Sequence, residues 1–119
     1  PLLNSAAAFV PGMIAAGRGK IINIGASAAL KGGPKMGAYA AAKAAVLRLS
    51  ESMAGELKPD NIQINCVLPG TIDTPQNREA MPNADFSKWV APAKIARGIL
   101  FLASPDADAI TGVALPISG

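Results

Sequence analysis

Residues 39–70, YAAAKAAVLRLSESMAGELKPDNIQINCVLPG, decide the fold that this sequence predicts. An alanine-rich stretch of helix-forming residues runs into Lys58-Pro59-Asp60-Asn61, a combination that ends helices. The apolar run IQINCVL follows at residues 62–68 and stops at a Pro-Gly pair, which is typical of a buried strand. The pattern therefore predicts a helix over residues 36–57 that leads directly into a strand.

Further elements are predicted on both sides of this stretch. They are a helix over residues 2–16, which Pro11 kinks or ends early, a strand over 20–25 (KIINIG), a loop over 26–35, a polar loop with a short helix over 69–92, a helix over 93–103 and a strand over 110–117. Strands that alternate with helices form parallel sheets covered on both faces. The expected fold class is α/β, one half of a doubly wound parallel sheet.

Composition excludes several classes of chemistry. Half of the chain is hydrophobic, 16% is charged, and there is no histidine, so histidine-based proton transfer and histidine metal sites are ruled out. The single cysteine, Cys66, excludes an intrachain disulfide, and the scattered acidic residues predict no metal site. The net charge of +3 is spread without a basic cluster, which argues against nucleic-acid binding. We also predict no membrane segment and a cytoplasmic protein.

Candidate chemistry is expected at the carboxyl ends of the strands, where ligands bind in open α/β sheets. The first strand is followed by Gly25-Ala26-Ser27, and Tyr39 and Lys43 lie four residues apart in the next helix. Positions i and i+4 share one helical face, and an ammonium group beside a phenol favours the phenolate. Tyr39 is thus a candidate proton donor, although an isolated pair of this kind is often only a surface feature.

The second strand end is the segment Pro69-Gly70-Thr71-Ile72-Asp73-Thr74. Pro69 and Gly70 predict a sharp turn, which leaves backbone groups and two threonine hydroxyls facing the crevice. Such groups can hold a carboxamide or a phosphate, but they also occur in ordinary turns.

Taken together, these segments resemble the C-terminal half of the short-chain dehydrogenase/reductase family. The resemblance implies a Rossmann-type domain, of which residues 1–119 are the C-terminal part, and NAD or NADP as the cofactor. It implies that Tyr39 transfers a proton and that Lys43 binds the nicotinamide ribose. It also implies that residues 69–74 hold the nicotinamide, with Ile72 and Thr74 near its carboxamide, and that the long helices form a homodimer or homotetramer.

The sequence departs from the family pattern in two ways. The position thirteen residues before Tyr39, where the family usually has a carbonyl-polarising serine, is Ala26, and the nearest hydroxyl is that of Ser27. The Gly-rich phosphate-binding turn is absent, so we expect it in an N-terminal half that lies outside this sequence.

The dihydropteridine reductase branch of the family also has alanine in place of this serine. The stretch that begins at Ala26 and the loop up to Trp89 resemble that branch. Carbonyl and 3-oxoacyl reductases of the same family remain an alternative, and so does a non-catalytic oligomerisation half-domain. Trp89 is interpreted as either a substrate-facing lid residue or an anchor of the loop. Asn77 and Arg78 are expected to cap the short helix rather than to contact substrate.

Overall fold

The structure, a computed structural model, describes residues 2–26 and 37–119. The helices are α1 (Leu2–Ala16), α2 (Gly37–Leu57), α3 (Pro75–Ala80) and α4 (Pro92–Ala103), and the strands are β1 (Gly19–Ile24), β2 (Ile62–Pro69) and β3 (Ala114–Ile117). Ser27 and the start predicted for the long helix at Met36 lie outside the described residues. No helix in the described part of the chain is both long and apolar enough to cross a membrane.

The three strands form one parallel sheet in the order β1-β2-β3. The central strand β2 is buried along its whole length because helices cover both of its faces. On one face, Leu47 of α2 packs against Cys66 and Leu68, while Val10 and Met13 of α1 pack near the start of β2. On the other face, Ile95 and Leu102 of α4 pack against Val67. The predicted α/β fold class with a parallel, doubly covered sheet is confirmed.

The helix predicted over residues 2–16 is confirmed, and of the two alternatives for Pro11 an early end does not occur. Proline lies inside α1, and the helix continues to Ala16. Proline removes the hydrogen bond to the carbonyl four residues earlier, which belongs to Ala7. Because both Ala7 and Pro11 are exposed, water can hydrate that carbonyl, and the helix tolerates the loss.

The last strand is shorter than predicted, since β3 begins at Ala114 rather than at residue 110. The buried side chain of Asn65 donates to the Ile110 carbonyl at 3.0 Å and accepts from the Val113 amide at 3.1 Å. Gly112 turns the chain between them with a φ of +76°. Residues 110–113 are thus held as a turn by a side chain of the neighbouring strand.

Replacing Asn65 by leucine removes both of these hydrogen bonds at similar side-chain volume. We expect the free energy of unfolding to fall by about 1–3 kcal/mol, because polar groups of the turn lose their partners. Equilibrium urea unfolding measures the change, with Gln76→Leu on the exposed surface of α3 as the control. A loss no larger than that of the control, about 0.5 kcal/mol or less, would contradict this role of Asn65.

Candidate functional site

The carboxyl ends of the three strands meet at one edge of the sheet. The Gly25 amide, directly after β1, donates to the Val67 carbonyl of β2 at 2.8 Å. The Gly70 amide, directly after β2, donates to the Ile117 carbonyl at the end of β3 at 3.0 Å. Ala26 and Gly70 therefore follow neighbouring strand ends, which are about 5 Å apart in a sheet.

Helix α2 brings Tyr39 to the same edge. Its residue Leu47 packs against the end of β2, whereas Ala54 packs against Ile62 and Ile64 at its start. The helix thus runs opposite to the strands, and its first turns extend past their carboxyl ends. Tyr39 lies eight residues before Leu47, which corresponds to about 12 Å along the helix axis.

Tyr39 and Lys43 lie side by side on this helix. The Lys43 ammonium nitrogen is 5.5 Å from the centroid of the Tyr39 ring. The tyrosine is 46% exposed, so its hydroxyl is accessible to a bound molecule. A cation over the ring face is favourable in itself and keeps a positive charge next to the phenol.

The backbone of the segment after β2 is hydrogen-bonded to Val90, where the chain returns to the sheet. Ile72 and Val90 form a parallel bridge in which the Val90 amide donates to the Thr71 carbonyl at 2.9 Å and the Asp73 amide donates to the Val90 carbonyl at 2.8 Å. The amide of Ile72 itself points away from this bridge and has no hydrogen-bond partner among residues 2–26 and 37–119. The hydroxyl of Thr74 accepts from the Asn77 amide at 3.1 Å and so caps α3.

These groups fit the nicotinamide end of a dinucleotide. A carboxamide has an oxygen that accepts hydrogen bonds and an NH₂ that donates them. The free Ile72 amide is a donor, and the threonine hydroxyls of residues 71 and 74 can both donate and accept. The donor set that this segment presents is therefore complementary to a carboxamide.

The chain then forms a cap segment, residues 75–89, which leaves the strand end at Thr74 and returns at Val90. Trp89 lies in it with its ring 4.7 Å from that of Phe86, and the Arg78 guanidinium carbon is 4.5 Å from the Phe86 ring centroid. Arg78 also forms a bidentate ion pair with Asp73, at 2.6 and 2.9 Å.

Sequence reasoning missed the Asp73–Arg78 pair and expected Asn77 and Arg78 to cap α3. Thr74 instead provides the N-terminal cap, while the Asn77 side chain donates to the Ile72 carbonyl at 2.8 Å. The opposite charges at positions 73 and 78 were the available signal. Their five-residue spacing matches no helical pair, so it gave no indication of contact.

A large cavity lined by described residues lies elsewhere. Its volume is about 680 Å³, and it is lined by Phe9 and Met13 of α1, Lys20 of β1, Asn61 and Asp108. These residues surround the amino ends of the strands, on the open side of β1, which is paired only with β2 in the described sheet. The cavity therefore marks an uncovered sheet edge, and its size does not indicate the site of chemistry.

Comparison with known proteins identifies the family. The sequence matches the family described as enoyl-(acyl carrier protein) reductase over residues 2–119. The chain belongs to the short-chain dehydrogenase/reductase family. It is 35% identical over 127 residues to a 3-oxoacyl-[acyl-carrier-protein] reductase of Chlamydia trachomatis, an alignment that covers 99% of this chain and 51% of the relative. The chain spans about half the length of the curated relatives it matches.

Solved structures show the same similarity. A gluconate 5-dehydrogenase from Burkholderia cenocepacia in complex with NADP and tartrate superimposes with a TM-score of 0.87 at 30% identity, covering 98% of this chain and 50% of the other. A 3-oxoacyl-[acyl-carrier protein] reductase from Brucella melitensis with bound NAD superimposes with a TM-score of 0.80 at 32% identity, covering 97% and 45%. The predicted Rossmann-type family fold is confirmed.

The narrower resemblance to dihydropteridine reductases receives no support from these comparisons. The chain is instead similar to several 3-oxoacyl-[acyl-carrier-protein] reductases. That resemblance depended on Ala26, on the residues that follow it up to Tyr39, and on the loop up to Trp89. Two short segments carry less information than identity distributed along the whole chain.

The Asp73–Arg78 pair makes a pH-dependent contribution. Hydrogen bonds from the Arg78 guanidinium hold the pKa of the Asp73 carboxyl below its ordinary value. A lowered pKa in the folded state means that the pair stabilises the fold above the ordinary aspartate pKa of about 3.9, and that this contribution is lost as the pH falls.

We therefore expect the Asp73 carboxyl to titrate at lower pH than an ordinary aspartate. Removing the guanidinium in Arg78→Gln should raise its pKa towards the ordinary value. Carboxyl carbon chemical shifts followed by NMR through the acidic range measure both titrations. Identical Asp73 titrations in the two proteins would show that the ion pair does not form in solution.

Proposed function

We propose that the protein is an NAD(P)-dependent oxidoreductase that reduces a carbonyl group, and that 3-oxoacyl thioesters are its substrate class. The observation that carries this proposal is the position of the Tyr39–Lys43 pair past the carboxyl ends of β1 and β2, beside a segment whose backbone and hydroxyl groups can bind a carboxamide. The similarity to 3-oxoacyl-[acyl-carrier-protein] reductases supports the substrate class.

Tyr39 would act as the general acid. When bound, a reduced nicotinamide supplies the hydride that the carbonyl carbon accepts. The Tyr39 hydroxyl donates its proton to the carbonyl oxygen, which completes the conversion to an alcohol and leaves a phenolate. The Lys43 ammonium, 5.5 Å from the ring centroid, stabilises the phenolate and can also hydrogen-bond a ribose hydroxyl.

The segment 69–74 would position the nicotinamide. The Ile72 amide would donate to the carboxamide oxygen, while the hydroxyl of Thr74 would contact the carboxamide NH₂. Pro69 and Gly70 turn the chain so that this segment crosses the end of the sheet. A Cβ atom on Gly70 would lie 3.4 Å from the Cβ of Ser118, so a larger residue there would press on the end of β3.

The phosphate end of the dinucleotide would bind to a second half of the domain. The sequence contains no G-x-G-x-x-G pattern, and the curated relatives are about twice as long. The edge of β1 supports this proposal because, in the described sheet, β1 pairs only with β2, so its other side can accept another parallel strand. We propose that the dinucleotide binds only when this half is present.

A homodimer or homotetramer formed through the long helices is also proposed, as is a cytoplasmic location. Support for the oligomer comes from α2, whose residues Ala41, Ala42, Ala45 and Leu49 are exposed. Small side chains allow a second helix to approach closely, and an exposed leucine among them provides apolar area to bury.

Replacing Tyr39 by phenylalanine tests the proton donor. We expect kcat to fall about 10²–10⁴-fold in the protein with its Gly-rich half, because the ring is retained but the proton is lost. The dissociation constant of the dinucleotide should change little. The control is Arg48→Ala, since Arg48 lies exposed on the same helix and pairs only with Glu51. A kcat close to that of the parent would refute the role of Tyr39.

Replacing Ser27 by alanine separates the two substrate classes. If Ser27 shares the developing oxyanion with Tyr39, kcat/KM for a 3-oxoacyl thioester should fall about 10²-fold or more, as for other lost oxyanion donors. A quinonoid dihydropterin needs no such donor, so the pterin alternative predicts a loss of less than about tenfold. Pterin reduction by the parent protein, together with a small effect of Ser27→Ala, would overturn the proposed substrate class.

A further inference from the structure

The cap segment, residues 75–89, is fixed at its two ends by the sheet. Val90 is fully buried among Val67, Ile95 and Leu102, and its backbone is bonded to Thr71 and Asp73. Between Thr74 and Val90, the fold places no strand, only the six-residue helix α3 and one 3-10 turn over Phe86–Lys88. The position of the middle of the segment must therefore depend on side-chain contacts.

Arg78 provides a continuous set of such contacts. Its guanidinium binds both carboxylate oxygens of Asp73, which lies next to Ile72 at the strand end. The same guanidinium lies 4.5 Å from the centre of the Phe86 ring, and that ring lies 4.7 Å from Trp89 at an interplanar angle of 52°. One side chain thus contacts both the segment proposed to hold the nicotinamide and the aromatic pair of the cap.

These contacts contribute little to global stability. The Arg78 side chain is 51% exposed, and ion pairs at exposed positions typically contribute little to the free energy of unfolding. Their geometry, in contrast, is restrictive, because a planar guanidinium bound at two oxygens cannot rotate without breaking one hydrogen bond. Lysine has the same charge but neither the fork nor the flat face that stacks on an aromatic ring.

We propose that Arg78 is a positioning residue that sets the place of the Phe86–Trp89 pair relative to Ile72, and thereby the preference of the site for substrates with an apolar acyl chain. The inference rests on the proposed function for its substrate class, and the aromatic pair is chosen because Phe86 contacts the same guanidinium that binds Asp73, next to Ile72. The positioning itself depends only on the contacts described above.

The positioning is tested without any activity measurement. The protein is labelled with 5-fluorotryptophan, and the Trp89 signal is assigned by its disappearance in Trp89→Phe. We expect the ¹⁹F signal of Trp89 to shift and broaden in both Arg78→Gln and Arg78→Lys. The control pair is Arg97→Gln and Arg97→Lys, at an exposed position of α4 outside the cap. An unchanged Trp89 signal in both Arg78 variants would overturn the proposal.

The effect on substrate choice is tested by kinetics in the protein with its Gly-rich half. We expect Arg78→Lys to raise KM about tenfold for a long-chain 3-oxoacyl thioester and to leave kcat nearly unchanged, as for a loss of uniform binding. The increase should be smaller for a short-chain thioester. Equal changes for both chain lengths, or a loss confined to kcat, would overturn the role in specificity.

The two proposals fail in distinguishable ways. If the parent protein reduces no 3-oxoacyl thioester, the proposed function fails, while the ¹⁹F signal of Trp89 still decides whether Arg78 positions the aromatic pair. If the parent is active and the Trp89 signal does not respond to Arg78→Lys or Arg78→Gln, only the positioning role is refuted.

Discussion

The burial of β2 on both faces is the constraint on which the rest of the structure depends. A central parallel strand exposes none of its residues, so helices must cover it from two sides. Residues 62, 64, 66 and 68 contact one layer and Val67 contacts the other, which orients α2 and α4 relative to the same strand. Every other feature of the described residues is built on this three-layer arrangement.

The placement of the candidate site follows from that packing. Because Leu47 and Ala54 contact opposite ends of β2, the direction of α2 is fixed, and its first turns extend past the strand ends. Tyr39 and Lys43 are thereby held on a rigid element rather than on a loop. The backbone of Val90 fixes the opposite side of the candidate site, where the Ile72 amide has no partner among the described residues. The candidate site thus combines a tyrosine carried by a helix with a segment anchored in the core.

The two edges of the sheet have different properties. At the carboxyl edge, backbone and side-chain groups of the segments after β1 and β2 converge with the first turns of α2. At the amino edge, a cavity of about 680 Å³ lies beside β1, where Lys20 is paired with Asp108 and Gln63. A cavity at an open strand edge reflects missing cover, whereas convergent polar groups at strand ends reflect chemistry. Convergent polar groups mark the carboxyl edge, where ligands bind in the doubly wound fold of the family to which the chain belongs.

The sequence by itself determined the order of the elements, the parallel sheet and the spacing of Tyr39 and Lys43. These features depend on local periodicity, on helix-ending residues and on the rise of a helix, all of which are encoded in short stretches. Only the tertiary structure decided that residues 110–113 form a turn, that α1 continues through Pro11 and that Arg78 joins Asp73 to Phe86. Each of these depends on a partner distant in sequence or on exposure to water: the turn on Asn65, the helix on a hydrated carbonyl, and Arg78 on the return of the chain at Val90. Contacts of this kind arise when the chain folds back on itself, so no local pattern contains them.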